Sequence, residues 1–148
     1  MIKLIYHSRG SLIPALLCAE KHHRPDSSLE QAVQHVQKWL VAQPDKKSER
    51  RLLPYNDDNS NVALYVLTAT APPGLVERTL TGFFCLLASR CAPAPMIVFS
   101  LAPTYSESRA DEHAEPALNG RRLKKLWPEV IAAVEQARLR LELLDRLK

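Results

Sequence analysis

Ile2-Lys3-Leu4-Ile5-Tyr6-His7-Ser8-Arg9-Gly10-Ser11 is the stretch that decides the fold. The apolar run from Ile2 to Tyr6 feeds directly into a polar, glycine-bearing segment, and a helical pattern begins at once behind it. A buried strand that ends in such a turn and opens a helix is a common way for α/β proteins to build a binding site. The turn lies at the strand's carboxyl end, where the first helical N–H groups have no intrahelical acceptor. Lys3 inside the apolar run, and the lack of a small-residue cleavage site, make this segment a strand and not a signal peptide.

Working outward, Leu12 to His23 reads as a helix, with Pro14 tolerated in the first turn. Arg24-Pro25-Asp26 breaks it, and Ser27 with Glu30 forms a capping box for a second helix. Leu29, Val33, Val36 and Leu40 keep helical spacing up to a stop at Pro44. Leu52 to Tyr55 and Val62 to Leu67 flank a cluster of turn formers and read as a hairpin, with Pro54 demoting the first run to an edge strand. The second run is apolar on both faces and belongs in the middle of a sheet.

Pro72-Pro73 starts a helix to about Arg90, with Val76, Leu80, Phe83 and Leu87 as a buried stripe that Leu75, Phe84 and Leu86 widen. Met96 to Leu101 is another doubly buried strand. Residues 102–120 are polar and aperiodic, an irregular loop or lid. A basic C-terminal helix occupies 121–148, periodic to about Arg146, with Pro128 bending or restarting it. Its Trp127, Val130, Val134, Ala137, Leu141 and Leu144 follow 3,4 spacing, so the helix either crosses the sheet or enters a short coiled-coil contact. Leu139, Leu143 and Leu147 make a second stripe that leaves room for a dimer.

The order β-α-α-β-β-α-β-α predicts one α/β domain over residues 1–148. It is three-layered, with a mostly parallel four-stranded sheet, helices on both faces and one antiparallel edge hairpin, in a Rossmann-like or P-loop-like arrangement. With 46% hydrophobic and 24% charged residues, the 148-residue chain has the composition of a globular domain. No apolar stretch approaches the roughly 18 residues of a bilayer span, so no membrane partner and a cytoplasmic location are expected.

Cys18, Cys85 and Cys91 form no metal-type pair, and an odd count argues against a disulfide framework. A Cys-x5-Arg phosphatase loop is missing, because Arg90 comes one residue early after Cys85. Residues 1–118 hold 12 basic and 12 acidic side chains, whereas residues 119–148 hold 8 against 4, so the net charge of +4 lies wholly in the last 30 residues. Arg121, Arg122, Lys124 and Lys125 are its densest part. This is a solvated helix face or a patch for phosphate or an acidic partner. Nucleic acid is not the expected partner, since no aromatic residues interleave to stack bases.

In a parallel sheet the carboxyl ends share one rim. Three exits meet there: His7-Ser8-Arg9-Gly10-Ser11, Thr68 to Thr70, and Pro103-Thr104-Tyr105. His7, Ser8, Arg9, Gly10, Ser11, Thr68, Thr70 and Thr104 are therefore the candidate ligand-binding residues, a set suited to a phosphate or carboxylate. Arg9 can bind such an anion in a bidentate manner, Gly10 can let the backbone approach, and Ser11 can cap the helix or donate to the ligand. The same Gly10-Ser11 pair also serves a tight turn with an N-cap and no ligand. It is not a Walker A loop, because the spaced second glycine and the Lys-Ser/Thr pair are missing. His22 and His23 point in different directions and make a poor metal pair, His35 lies on the polar side of its helix, and His113 is a lid or surface residue. Ser8 or Ser11 would need His7 and a third, orienting group to act as a nucleophile. No third group is identifiable, so no reaction or cofactor is assigned.

Tyr6-His7 with Gly10-Ser11, then Tyr55, Asp57, Asn61 and Tyr65-Val66-Leu67, resemble the pattern of a small bacterial family, domain-of-unknown-function family 3189. The resemblance covers roughly the first 90 residues and rests on short motifs. It implies the same α/β architecture and rim location, and no activity. Ser8-Arg9 stands where that family tends to have a cysteine-containing, glycine-richer turn, and the hairpin loop lacks the usual glycine. Any chemistry that depends on those residues is lost here. Two functions follow as expectations: an anion-binding or enzymatic domain using the first turn, or a non-catalytic interaction protein that dimerises or binds an acidic partner through its basic C-terminal helix.

Overall fold

Six of the seven residues of strand β1 (Ile2–Ser8) are buried, and Lys3 alone is half-exposed. A strand covered on both faces is typical of the middle of a parallel sheet. The computed structural model describes residues 2–9, 11–43, 52–56, 62–69, 71–88, 96–100 and 120–146, and it places β1 between two parallel neighbours. On one side β3 (Val62–Thr68) runs in register from Ile2 opposite Val62 to Ser8 opposite Thr68. On the other, β4 (Met96–Ser100) runs from Lys3 opposite Met96 to His7 opposite Ser100. Strand β2 (Leu53–Asn56) joins β3 antiparallel, giving the order β2-β3-β1-β4. The described residues thus form an α/β fold, with four helices and a mixed, mostly parallel four-stranded sheet. Pro54 sits on the edge strand as expected, beside an irregularity in register before Asn56.

Side chains alternate across a strand, so Ile2, Leu4 and Tyr6 share one face while Ile5 and His7 take the other. The first face carries the main core, where Leu64, Val66 and Ile97 join them under helices α1 (Ile13–His23), α2 (Leu29–Ala42) and α4 (Gly120–Arg146). Helix α1 packs on β1, β3, α2 and α4 together. Its Ala15, Leu16, Leu17, Cys18 and Ala19 are all fully buried, which is why it lacks a polar face over this stretch. Deleting one such leucine to alanine costs about 2–5 kcal/mol.

Helix α4 is continuous through Pro128, and Val130, Val134, Ala137 and Leu141 are buried, with Trp127 and Leu144 packed against the same core. The 3,4-spaced seam is therefore spent inside the domain, as a helix laid on α1 and β4. Helix α3 (Pro73–Ala88) contacts β4, and its buried Val76 lies apart from the main core. The expected buried stripe on α3 holds only in part. Val76 is buried and Leu80 half-buried, but Phe83 is 56% exposed. No described helix is long and apolar enough to cross a membrane.

The capping box also falls one residue later than expected. Ser28 accepts from the Gln31 amide, and the Gln31 side chain accepts from the Ser28 amide. Ser27 is buried and donates to the Arg24 carbonyl, closing the preceding turn. Two serines precede two Glu/Gln positions, and the one needed by the turn is not free to cap. Lys21 secures the same turn. Its Nζ donates to the Pro25 and Ser27 carbonyls at 2.5 and 2.9 Å and sits 5.4 Å over the Trp127 ring of α4.

A carboxylate closes this side of the domain. Glu20 is buried on α1, its Oε1 accepting from Arg24 Nη1 at 2.7 Å and lying 2.7 Å from His35 Nδ1 of α2. Its Oε2 accepts from the Tyr55 hydroxyl of β2 at 2.5 Å, and Tyr55 stacks on Trp39 at 5.6 Å. Burial pushes the Glu20 carboxyl up, but the bonds from Tyr55, Arg24 and His35 outweigh it and hold the group below its usual range. Burial, and then the neighbouring carboxylate, push the Tyr55 hydroxyl up, so it stays a donor. On the other side of α1, the hydroxyl of buried Tyr6 is hydrogen-bonded to His22 Nδ1 at 2.9 Å. Arg138 of α4 donates to the His22 carbonyl at 3.0 Å. Burial, with Arg138 and His23 nearby, lowers the His22 pKa to about 4.

Two acid windows follow. Unfolded His22 takes a proton near 6.5 and the folded form only near 4, so stability falls as pH drops between those values. Glu20 has a depressed folded pKa, so its contribution is present above the ordinary carboxylate value of 4.5 and is lost below it, as pH falls through the folded value. Urea unfolding across this range should show His22→Asn flattening the upper window and Glu20→Gln the lower one. At neutral pH Glu20→Gln should cost about 2 kcal/mol, the worth of a hydrogen bond to a charged group.

Candidate functional site at the exit of the first strand

The register fixes the geometry of the rim. Ser8 ends β1 level with Thr68 at the end of β3, and His7 lies level with Ser100 at the end of β4. The three parallel strands therefore finish on one edge within about one residue of each other. The β1 and β3 exits are also tied together, since the Ala69 amide donates to the Ser8 carbonyl at 3.3 Å.

The side chains of this corner divide by burial. His7 is buried on the second face of the sheet and its Nε2 lies 3.4 Å from the Ala69 carbonyl. Burial lowers its pKa and the carbonyl only partly compensates, so the imidazole is neutral at pH 7 and Nε2–H is the donor in that contact. Ser8 is buried too, and its hydroxyl donates to the Ser11 carbonyl at 2.6 Å. Ser11 Oγ accepts from the Ile13 amide at 3.3 Å, and Leu12 at the helix N-cap makes no side-chain cap. Pro14 brings no N–H to this first turn. His7, Ser8 and Ser11 thus build and brace the turn, whereas Arg9 is exposed at its tip and Ser11 and Thr68 are half-exposed beside it.

Of the other expected site residues, Gly10, Thr70 and Thr104 lie outside the described residues, as do Asp57, His113, Cys91 and Leu147. The loop 102–119 lies outside them as well. On α4, Arg121, Arg122, Lys124 and Lys125 are exposed, as are Leu139 at 59% and Leu143 at 58%. Among the described residues no group of three or more His, Cys, Asp or Glu is placed to hold a metal ion.

The cluster of Glu20, Arg24, His35 and Tyr55 has no counterpart among the sequence expectations. Glu20 directly follows six buried residues of α1, Pro14 to Ala19, and Arg24 stands four residues on, where a helix brings side chains together. A lone carboxylate inside an apolar helical stretch was the available signal. Its partners on α2 and β2 come from 15 and 35 residues away, and no local pattern marks them.

Compared with protein-family models, with curated proteins and with solved structures, the chain matches none.

If Ser8 is a brace and not a ligand group, Ser8→Ala should lower stability by about 1 kcal/mol in urea unfolding, the value of one buried hydrogen bond. Its effect on anion binding should be small beside that of Arg9→Ala.

Proposed function

We propose that this protein is a Rossmann-like, three-layer domain that binds a phosphate- or carboxylate-bearing small molecule at the turn between β1 and α1. In this reading α3 covers the second face of the sheet, over Ile5, His7 and Val98. The chain then leaves β1 toward one face and the adjacent β3 toward the other. Ligands of open α/β sheets lie in the crevice outside the strands' carboxyl ends where neighbouring connections part in this way. The observation that carries the proposal is the register: Ser8 is level with Thr68, beside two helix starts.

The roles follow from burial. Arg9 supplies the charge and the bidentate donor fork. Ser11 and Thr68 supply hydroxyl contacts, and His7 and Ser8 hold the turn in shape. Gly10, Thr70 and Thr104 complete the ligand shell in this proposal. The likeness to domain-of-unknown-function family 3189 supports the same rim and adds no reaction. A second reading, an interaction protein working through α4, is favoured by the exposed Arg121, Arg122, Lys124 and Lys125. It predicts retention on a polyanion column that weakens steeply with salt.

Thermal-shift measurements with inorganic phosphate, nucleotides and sugar phosphates test the site. At least one should raise Tm for the wild type. Arg9→Ala should need roughly 10- to 100-fold more ligand for the same shift, the loss of one charge-assisted bond. Equal responses from both proteins would remove Arg9, and with it this site, from consideration.

A further inference from the structure

We propose that α3 pairs antiparallel with α3 of a second copy of this chain. Residues 79–88, Thr-Leu-Thr-Gly-Phe-Phe-Cys-Leu-Leu-Ala, contain no charge. Six of them, Thr79, Thr81, Gly82, Phe83, Cys85 and Leu86, are nevertheless exposed. Phe83 is 56% and Leu86 74% exposed, and Leu75 one turn before them is 49%. A solvent-facing helix surface normally carries charged residues. Loss of charge with an aromatic present is instead the composition of a protein interface core.

The occupant is read from the spacing. Leu75, Thr79, Gly82 and Leu86 recur at 4, 3 and 4 residues and form one narrow stripe. The stripe is its own complement about a two-fold axis between Leu80 and Thr81. Antiparallel pairing sets Leu75 against Leu86 of the partner subunit and Thr79 against Gly82 of the partner subunit. Small residues fall at the centre and large apolar ones at both ends, so the axes can approach to about 8 Å while the leucines close the flanks. This is the isologous contact of a C2 dimer.

Gly82 gives independent support. Among the described residues a Cβ added there meets nothing within 4 Å, so none of them calls for glycine at this position. Yet glycine inside a helix costs about 1 kcal/mol relative to alanine. Close approach by a second helix supplies the missing reason. An uncharged face offers nothing to a nucleic acid or a charged protein. A membrane-surface helix would carry several Lys or Arg, where α3 has Arg78 alone. Leu75, Phe83 and Leu86 expose on the order of 300 Å² per copy, and with the side chains that flank them the pair buries roughly 1,000 Å² in total, the lower bound for a specific interface and the size of a weak dimer.

Sedimentation equilibrium on the full chain from about 1 to 100 µM decides it. The wild type should dimerise. Gly82→Arg and Thr79→Glu, both at exposed positions, should each weaken dimerisation at least tenfold, with Tm and near-ultraviolet circular dichroism unchanged at dilutions where wild type and variants are all monomeric. Should Gly82→Arg disturb folding, Thr79→Glu is sufficient by itself. A wild type that stays monomeric throughout overturns the proposal. So does a dimer that survives both variants, including one lost only in Leu139→Glu/Leu143→Glu on α4. The anion site stands or falls separately, on Arg9.

Discussion

Everything in this domain is arranged around a seven-residue strand with no free side. β1 is hydrogen-bonded in parallel on both edges and buried on both faces. A parallel partner cannot follow through a tight hairpin and needs a long crossover. That requirement accounts for the helices between the strands, and it forces the three parallel strands to end on one rim. Burial of β1 also explains the unusual position of His7 and Ser8. They are polar residues still inside the strand, so they must find partners in the protein, and they find them in the Ala69 and Ser11 carbonyls.

The same logic governs α1. Because the sheet lies on one side of it and α2 and α4 on others, five consecutive residues are fully buried and the sixth is Glu20. An ion in that position is tolerated only when its oxygens are bonded. Arg24, His35 and Tyr55 meet that need and, in doing so, tie α1, α2 and the edge strand β2 into one unit. The short β2, with a proline in it, is further held by its pairing with β3, the stacking of Tyr55 on Trp39 and the packing of Leu53 and Tyr55 on the core. One face of the sheet is closed by three helices and a charged cluster, and on α3 the side chains of Leu75, Phe83 and Leu86 are 49%, 56% and 74% exposed.

Much of the architecture was legible beforehand because it is encoded locally. The apolar run at 2–6 and the turn residues behind it marked β1 and the start of α1. Turn formers at 56–61 marked the hairpin, Pro54 marked the edge, and the 3,4 spacing of Val130, Val134, Ala137 and Leu141 marked a buried helix face. The cap of α2 was misplaced by one residue, since Ser27 and Ser28 look equivalent until the turn to Arg24 is closed. Phe83 was expected inside because periodicity identifies an apolar stripe without saying whether anything covers it.

By itself, the sequence determined the order and type of the elements, the polar corner after β1 and the concentration of positive charge in the last helix, all of which depend on neighbours a few residues apart. Only the tertiary structure decided which polar groups of that corner are spent on the turn, how Glu20 finds Tyr55 across 35 residues, and which apolar side chains remain in water. Those outcomes are set by contacts between distant segments, and the free energy of burying a group depends on what lies across from it rather than on what precedes it in the chain.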